Sequence, residues 1–203
     1  MNEYKKYAGL IFDCDGTLTD SMPLHYESWI DALSPFGISY SRDRFYSMGG
    51  MRSEEIVRVL AEEQSVSVDC EAVSASKEAF FAERIKYIEA REDICGIARY
   101  YCGRIPVAVA SGGDQQGVSA QLEQIGMRKY FEVIVTAEDT ELHKPHPDVF
   151  LETARRLGVE PKNCIVFEDS PLGLEAAARA SMDCFDVRDN SLHQATKSLT
   201  TNP

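Results

Sequence analysis

The sequence predicts an α/β fold: a doubly wound parallel sheet interrupted, just after its first strand, by a helical insertion. Two observations carry this. Short apolar runs alternate with helical patterns beyond about residue 90, the order expected of βαβ units. Residues 22–90, by contrast, carry helical patterns one after another with no apolar strand run among them. A third observation sets the scale. With 203 residues, 44% of them hydrophobic and 27% charged, the chain is globular and long enough for a core domain carrying a smaller one.

The first strand is Ala8-Gly-Leu-Ile-Phe12, an apolar run that stops at Asp13 and has the pattern of a strand buried on both faces. Val107–Ala110, Val133–Val135 and 165–167 resemble it, and 184–187 is a weaker fifth. Helical patterns lie between them at 116–124, Asp148–Leu157 and 173–180, and Gly126 and Gly158 mark two of the helix ends. In the insertion, helices are expected over 24–36, 54–63 and 70–88, broken by Pro35-Phe-Gly37 and Gly49-Gly50. The predicted division is therefore a core of residues 1–20 and 91–203 and a helical domain of 21–90. Asp20 is expected to cap the helix that enters the insertion. Residues 191–203 read as a polar, frayed tail. An insertion at the carboxyl edge of the first strand matters, because open parallel sheets bind ligands beside those strand ends and the insertion would roof the site.

The charge narrows the partners. Lys and Arg number 21 against 33 Asp and Glu, a net charge of −12, which disfavours nucleic acid and anionic lipid surfaces. No run approaches the roughly 18 apolar residues of a membrane span, and the start is polar, so a cytoplasmic protein is expected. The 6 cysteines form no Cys-x-x-Cys pair and are expected as reduced thiols. Without an evident apolar surface stripe, a monomer is the default.

Polar residues collect where the apolar runs end. Asp13, Asp15, Gly16 and Thr17 follow the first, Ser111-Gly-Gly113 the second, Lys144 the third within ten residues, and Glu168-Asp169-Ser170 the fourth. In a parallel sheet these ends share one edge, so the four carboxylates Asp13, Asp15, Glu168 and Asp169 should converge. They would repel strongly without a cation among them. A ligand set of hard oxygens, with no His or Cys, suggests Mg²⁺. Lys144 adds positive charge, and Ser111 with the Gly112 amide suits phosphate oxygens. Each residue has a blander reading: turn residues at Asp13 and Asp15, a helix cap at Glu168 and Asp169 or at Ser111, an exposed loop lysine at Lys144. Agreement among the four ends is what outweighs those readings.

Asp13-x-Asp15-Gly16-Thr17, Ser111, Lys144-Pro-x-Pro-Asp148 and Glu168-Asp169-Ser170 resemble, in order and spacing, the four motifs of the haloacid dehalogenase superfamily of phosphohydrolases. The likeness runs from about residue 7 to 189. It implies a Rossmann-like core with a C1-type helical cap, similar to β-phosphoglucomutase and related sugar-phosphate phosphatases. It further implies Asp13 as nucleophile, forming an aspartyl-phosphate, and Asp15 as acid and base. Mg²⁺ would be held by Asp13, the Asp15 backbone carbonyl and Asp169, with Glu168 bound directly or through water. Ser111, Gly112 and Lys144 would bind the transferring phosphoryl group. In the cap, His25, Arg52 and Lys77 fall where these relatives place a histidine, a phosphate-binding arginine and a lysine. Taken singly, a helical histidine is more often ordinary and a helical lysine solvated. The family usually has glycine where Ser181 follows the last alanine of its helix, and a serine in a left-handed cap costs about 1 kcal/mol.

The resemblance implies a Mg²⁺-dependent phosphatase acting on a small phosphomonoester such as a sugar phosphate. A β-phosphoglucomutase-type mutase would use the same residues, and Thr17, common in the phosphatases where mutases often have valine, leans toward hydrolysis. A catalytically silent binding module is a third reading, disfavoured because every motif residue is present.

Overall fold

The computed structural model describes residues 3–195. At its centre lies a six-stranded sheet in the order β3-β2-β1-β4-β5-β6. The strands are β1 (Gly9–Phe12), β2 (Val107–Ala110), β3 (Val133–Val135), β4 (Cys164–Glu168), β5 (Asp183–Asp186) and β6 (Ser191–His193). Only the β5–β6 pair is antiparallel. The chain builds outward from β1 through β2 to β3, then returns to the far side of β1 with β4. Strand order thus reverses at β1, and the crevice beyond the carboxyl ends of β1 and β4 is a topological switch point.

Strand residues alternate between two apolar layers, as a period of two requires. Leu10, Phe12, Val109 and Phe167 pack with Ile94, Ala98, Val118 and Leu122 from α5 (Glu92–Tyr101) and α6 (Gln115–Gln124). Ile11, Ala110 and Val166 pack on the other face with Phe150, Ala154 and Ala177 from α7 (Asp148–Leu157) and α8 (Pro171–Arg179). Covered on both faces, β1, β2 and β4 need apolar side chains at nearly every position.

Between β1 and β2 run α1 (Met22–Leu33), α2 (Arg42–Ser47), α3 (Ser53–Glu63) and α4 (Cys70–Arg84), and α4 packs on both α1 and α3. Trp29, Leu33, Tyr40, Phe45, Val57, Leu60 and Val73 form an apolar cluster of their own. The chain leaves and re-enters the sheet layer side by side: Thr19 pairs with Ala90, and the Asp20 N–H donates to the Glu89 carbonyl at 2.9 Å.

Several expectations need correction. Asp20 does not cap α1; Ser21 occupies that position, makes no side-chain cap bond, and spends its hydroxyl on Asp15. The expected frayed tail begins with β6, whose backbone pairs with β5, while 196–203 lies outside the described residues. Helices α2 and α5 were not expected. The expected left-handed backbone at Ser181 is present, with φ 60°. Among the described residues no helix is long and apolar enough to cross a membrane, and all of Cys14, Cys70, Cys95, Cys102, Cys164 and Cys184 are free thiols.

Candidate active site

Asp13 directly continues β1, its N–H donating to the Phe167 carbonyl of β4 at 3.0 Å. The chain then winds tightly, with the amides of Thr17, Leu18 and Thr19 all directed at the Cys14 carbonyl. This turn requires glycine at position 16 on two counts. Its φ is +75°, and a Cβ there would come within 2.2 Å of Asp169 Oδ2. The absence of a side chain at Gly16 therefore lets the first and last strand-end loops touch.

Lys144 reaches into the same place from the segment before α7. It is 6% exposed, and its Nζ donates to Asp13 Oδ1 and to Glu168 Oε2, both at 2.7 Å. Burial works against its charge, but the two carboxylates outweigh it and hold the ammonium well above the ordinary lysine range. Glu168 is fully engaged on its other oxygen too: Oε1 accepts from the amides of Asp169 and Ser170 and from the Ser170 hydroxyl. Ser170 in turn accepts from the Gly173 amide and so caps α8. A Cβ on Gly173 would sit 2.0 Å from Glu168 Cδ, so this glycine gives the carboxylate its room.

Asp13, Glu168 and Asp169 each offer an oxygen within 4.8 Å of the others. Burial pushes the Asp13 carboxyl up, as do Glu168 and Asp15, with Lys144 opposing. Burial, Glu168 and Asp13 push Asp169 up as well. This is the electrostatics of a carboxylate cluster short of positive charge, and an all-oxygen set fits a hard divalent cation. The hydrogen bonds to these two aspartates fall on Oδ1, from Lys144 to Asp13 and from Thr17 to Asp169, and among the described residues Oδ2 of each has no partner. Glu168, with both oxygens taken, holds the Lys144 ammonium and the α8 entry loop in place.

Asp15 stands two residues on in a different environment. Its Oδ1 accepts from Ser21 Oγ at 2.7 Å and from His25 Nε2 at 2.8 Å. Burial raises its pKa, but His25, Ser21 and Gln121 together overcome that and hold the carboxylate well below its usual range. His25 Nδ1 lies 3.0 Å from Lys77 Nζ, and the ring stacks on Phe81 at 3.6 Å between centroids. Burial and the Lys77 ammonium lower the His25 pKa. The network therefore assigns a neutral ring that accepts from Lys77 at Nδ1 and donates to Asp15 at Nε2. Lys77, far from being solvated, is 4% exposed; it bonds to Glu78 and faces the rings of Trp29 and Phe81.

Ser111 follows β2, is buried, and accepts the Gly113 amide on its hydroxyl at 3.1 Å; the blander reading of it as a helix cap does not hold, because Asp114 caps α6. Gly112 lies against the Gly50 carbonyl, where a Cβ would be 4.0 Å away. Arg52 precedes α3 and is exposed, and its guanidinium has no hydrogen-bond or ion-pair partner among the described residues. It lines the same cavity of about 1040 Å³ as Asp13, Asp15, His25, Lys77, Ser111, Gly112, Lys144, Glu168 and Asp169. Every candidate residue from the sequence thus borders one space. The sequence did not point to Ser21, because nothing local to it says that its hydroxyl meets Asp15.

A family model for haloacid dehalogenase-like hydrolases matches residues 10–187. The chain is 36% identical to the fructose-1-phosphate phosphatase YqaB of Escherichia coli, over 91% of this chain and 98% of that one. It is 29% identical to the phosphorylated carbohydrates phosphatase of Thermotoga maritima, over 86% and 82%. The crystal structure of β-phosphoglucomutase from Clostridium difficile superposes with a TM-score of 0.80 at 24% identity, covering 91% of this chain and 86% of that one, a likeness of fold. With its strand-end motifs gathered at the switch point and a family match spanning nearly the whole sheet and its insertion, the chain belongs to the haloacid dehalogenase-like hydrolase family.

Proposed function

We propose that the protein is a Mg²⁺-dependent phosphatase that hydrolyses a small sugar phosphate through an aspartyl-phosphate on Asp13. The observation that carries this reading is the pairing of two aspartates, two residues apart, on separate supports: Asp13 on Lys144 within the carboxylate cluster, Asp15 on His25 and Ser21. Named relatives that act on fructose 1-phosphate and phosphorylated carbohydrates support the substrate class.

Asp13, Asp169 and the Asp15 backbone carbonyl would hold the ion, with Glu168 fixing the geometry around it. Bound Mg²⁺ supplies charge neutralisation between the carboxylates and the phosphoryl oxygens. Lys144, the Ser111 hydroxyl and the Gly112 amide bind those oxygens. Asp13 then attacks phosphorus. As that P–O bond forms, the bond to the sugar oxygen breaks, and Asp15 delivers its proton to the departing oxygen. In the second half a water attacks the same phosphorus, Asp15 takes the water's proton, and the P–O bond to Asp13 breaks to release inorganic phosphate. For the first half Asp15 must be protonated, and an arriving phosphate, as a neighbouring like charge, raises its pKa toward that state. Residues 21–90 serve as a cap over a core of 1–20 and 91–203, with His25 and Lys77 supporting Asp15 from above and Arg52 at the mouth.

The test is phosphate release from glucose 1-phosphate, glucose 6-phosphate, fructose 1-phosphate, 2-deoxyglucose 6-phosphate and phosphoglycolate, with and without Mg²⁺. Turnover of one or more of the sugar phosphates that requires Mg²⁺ is expected. No turnover across the panel would overturn the reading. So would glucose 6-phosphate, rather than free phosphate, as the dominant product from β-glucose 1-phosphate with a trace of the 1,6-bisphosphate, since that is mutase behaviour.

A further inference from the structure

One face of α4 borders the cavity: Ser74, Lys77, Glu78, Phe81 and Ala82, recurring at the three- and four-residue spacing of a helix. Two of these residues are charged, and they sit at different depths. Lys77 is 4% exposed and faces the rings of Trp29 and Phe81, whereas the Glu78 side chain is 40% exposed. Of the pair, the carboxylate is the end that an incoming molecule reaches. The chemistry above does not use it.

Glu78 is held in a set orientation. Its Oε1 accepts from the Ser53 hydroxyl at 2.7 Å and from Lys77 Nζ at 3.0 Å, and its Oε2 from Lys77 Nζ at 3.1 Å. Ser53 opens α3 and directly follows Arg52, so groups on two helices seat this one side chain. A carboxylate has room for about four donors. Among the described residues three such bonds are made, which leaves Oε2 able to accept one more and nothing there to donate. The position relative to the chemistry follows from the same contacts. Asp15 meets the leaving-group oxygen, and the chain from Asp15 through His25 to Lys77 ends on Glu78. The carboxylate thus stands on the leaving-group side of the cavity.

We propose that Glu78 is a specificity-determining residue that selects the monophosphate of a neutral polyol and rejects leaving groups bearing a second anion. The inference rests on the reading of the protein as a phosphatase whose Asp15 meets the leaving group. A sugar hydroxyl can donate to the open position on Oε2. A carboxylate or a second phosphate dianion has no proton to give there. It meets a like charge and finds the Lys77 ammonium already engaged. Arg52 can donate to either kind of group, so the selection falls to the acceptor.

The experiment reads competitive inhibition constants against p-nitrophenyl phosphate hydrolysis with Mg²⁺, which places ligands that turn over and ligands that do not on one scale. The ligands are fructose 1-phosphate, fructose 1,6-bisphosphate, which adds only the second phosphate, and phosphoglycolate, whose leaving group carries a carboxylate. The wild type is expected to bind the two ligands with a second anion about tenfold or more weakly than fructose 1-phosphate. E78Q keeps the shape and removes the charge. It should tighten both of those ligands about fivefold and weaken fructose 1-phosphate about twofold, so that the preference falls about tenfold. E78A removes the acceptor as well; it should tighten the same two ligands equally and weaken fructose 1-phosphate about fivefold or more. A wild type without the preference, or a preference that E78Q leaves within about twofold of the wild type's, overturns this inference alone. A wild type inactive on p-nitrophenyl phosphate overturns the phosphatase reading and this inference with it.

Discussion

The residues at the strand ends and those on the helical insertion meet at one cavity but are held by different means. Asp13, Ser111, Lys144 and Glu168 are all nearly inaccessible, and the sheet register sets their positions. Asp13 and Glu168 lie at the ends of the paired β1 and β4, and Lys144 is drawn between their carboxylates. On the insertion, His25 and Lys77 border the cavity and form a chain that ends on Asp15, while the exposed Arg52 guanidinium has no hydrogen-bond or ion-pair partner among the described residues. Charges at the strand ends compensate one another in a low-dielectric setting, so losing one leaves others stranded. On the insertion the Lys77 ammonium is buried but its carboxylate partner, Glu78, is part-exposed, and Arg52 faces solvent.

That contrast yields predictions of decreasing size. Asp13→Asn removes the proposed nucleophile and should lower kcat by about 10⁴-fold or more, with the fold retained by circular dichroism. EDTA treatment should abolish activity as well, and readdition of Mg²⁺ should restore it. Activity undiminished by EDTA would contradict the reading of the carboxylate cluster.

The next comparison sets Lys144→Met against Lys77→Met. The first leaves Asp13 and Glu168 buried without their cation, and removing one partner of a buried pair costs about 3–5 kcal/mol. At about 2–4 °C per kcal/mol for a chain of this size, melting should fall by roughly 6 to 20 °C. The second abandons Glu78, whose side chain is 40% exposed, the hydrogen bond to His25 Nδ1 at 3.0 Å, and cation–π contacts at 5.2 and 5.5 Å. It should cost about 1–2 kcal/mol. Equal destabilisation of the two would erase the distinction drawn between the regions.

Metal removal sharpens the same point through pH. Mg²⁺ at about 100 times its Kd should stabilise by about 2.7 kcal/mol, or about 5–10 °C in Tm. Without metal, Asp13 and Asp169 are held above the ordinary carboxylate range. A carboxyl raised in the folded state binds protons more tightly there than when unfolded. Its stabilising contribution is complete below the unfolded pKa and is lost as pH rises through the folded one. The metal-free protein should therefore lose stability as pH rises above the ordinary carboxylate range. The gain from Mg²⁺ should grow with pH in the same window, measurable as Tm with and without metal at pH 5.5 and 8. At the weak end of the contrast, Arg52→Ala should leave Tm within about 2 °C, because the guanidinium has no partner to lose. Raised KM with kcat nearly unchanged would place it at substrate binding alone.

The legibility of the sequence follows the same divide. The apolar runs of β1 to β4 and the polar residues that end them are readable because a strand covered on both faces leaves no freedom in composition, and the carboxylates follow directly in the chain. Helix α2, with six residues, is too short to show a period, and β6, Ser-Leu-His, takes its strand conformation from the backbone of β5. Ser21 carries no local signal at all: it enters the site through a hydroxyl that donates to Asp15, six residues back across the turn.

The smallest predicted effect tests whether one local rule holds in both regions. Helix α3 on the insertion is followed, after its cap Gln64, by Ser65 with φ 56°, and α8 in the sheet layer, after its cap Ala180, by Ser181 with φ 60°. The bonding is the same in both: Val66 N–H to the Ala61 carbonyl at 2.9 Å, and Met182 N–H to the Ala177 carbonyl at 3.0 Å, each beside a bond from the serine's own amide, to Glu62 at 3.2 Å and to Ala178 at 3.0 Å. The α7 end has this geometry with Gly158 at φ 68°, where no Cβ opposes it. A serine in that conformation carries the steric cost of its Cβ, about 1 kcal/mol, offset in part by the smaller entropy it loses on folding. Ser65→Gly and Ser181→Gly should therefore each stabilise by about 0.5–1 kcal/mol, a rise of about 1–4 °C in Tm, and leave kcat and KM unchanged. Because the two sites are remote from each other, the double variant should show the sum. A gain at Ser181 without one at Ser65 would mean that the insertion relieves the strain by fraying the end of α3, a freedom that the helix packed on β5 does not have.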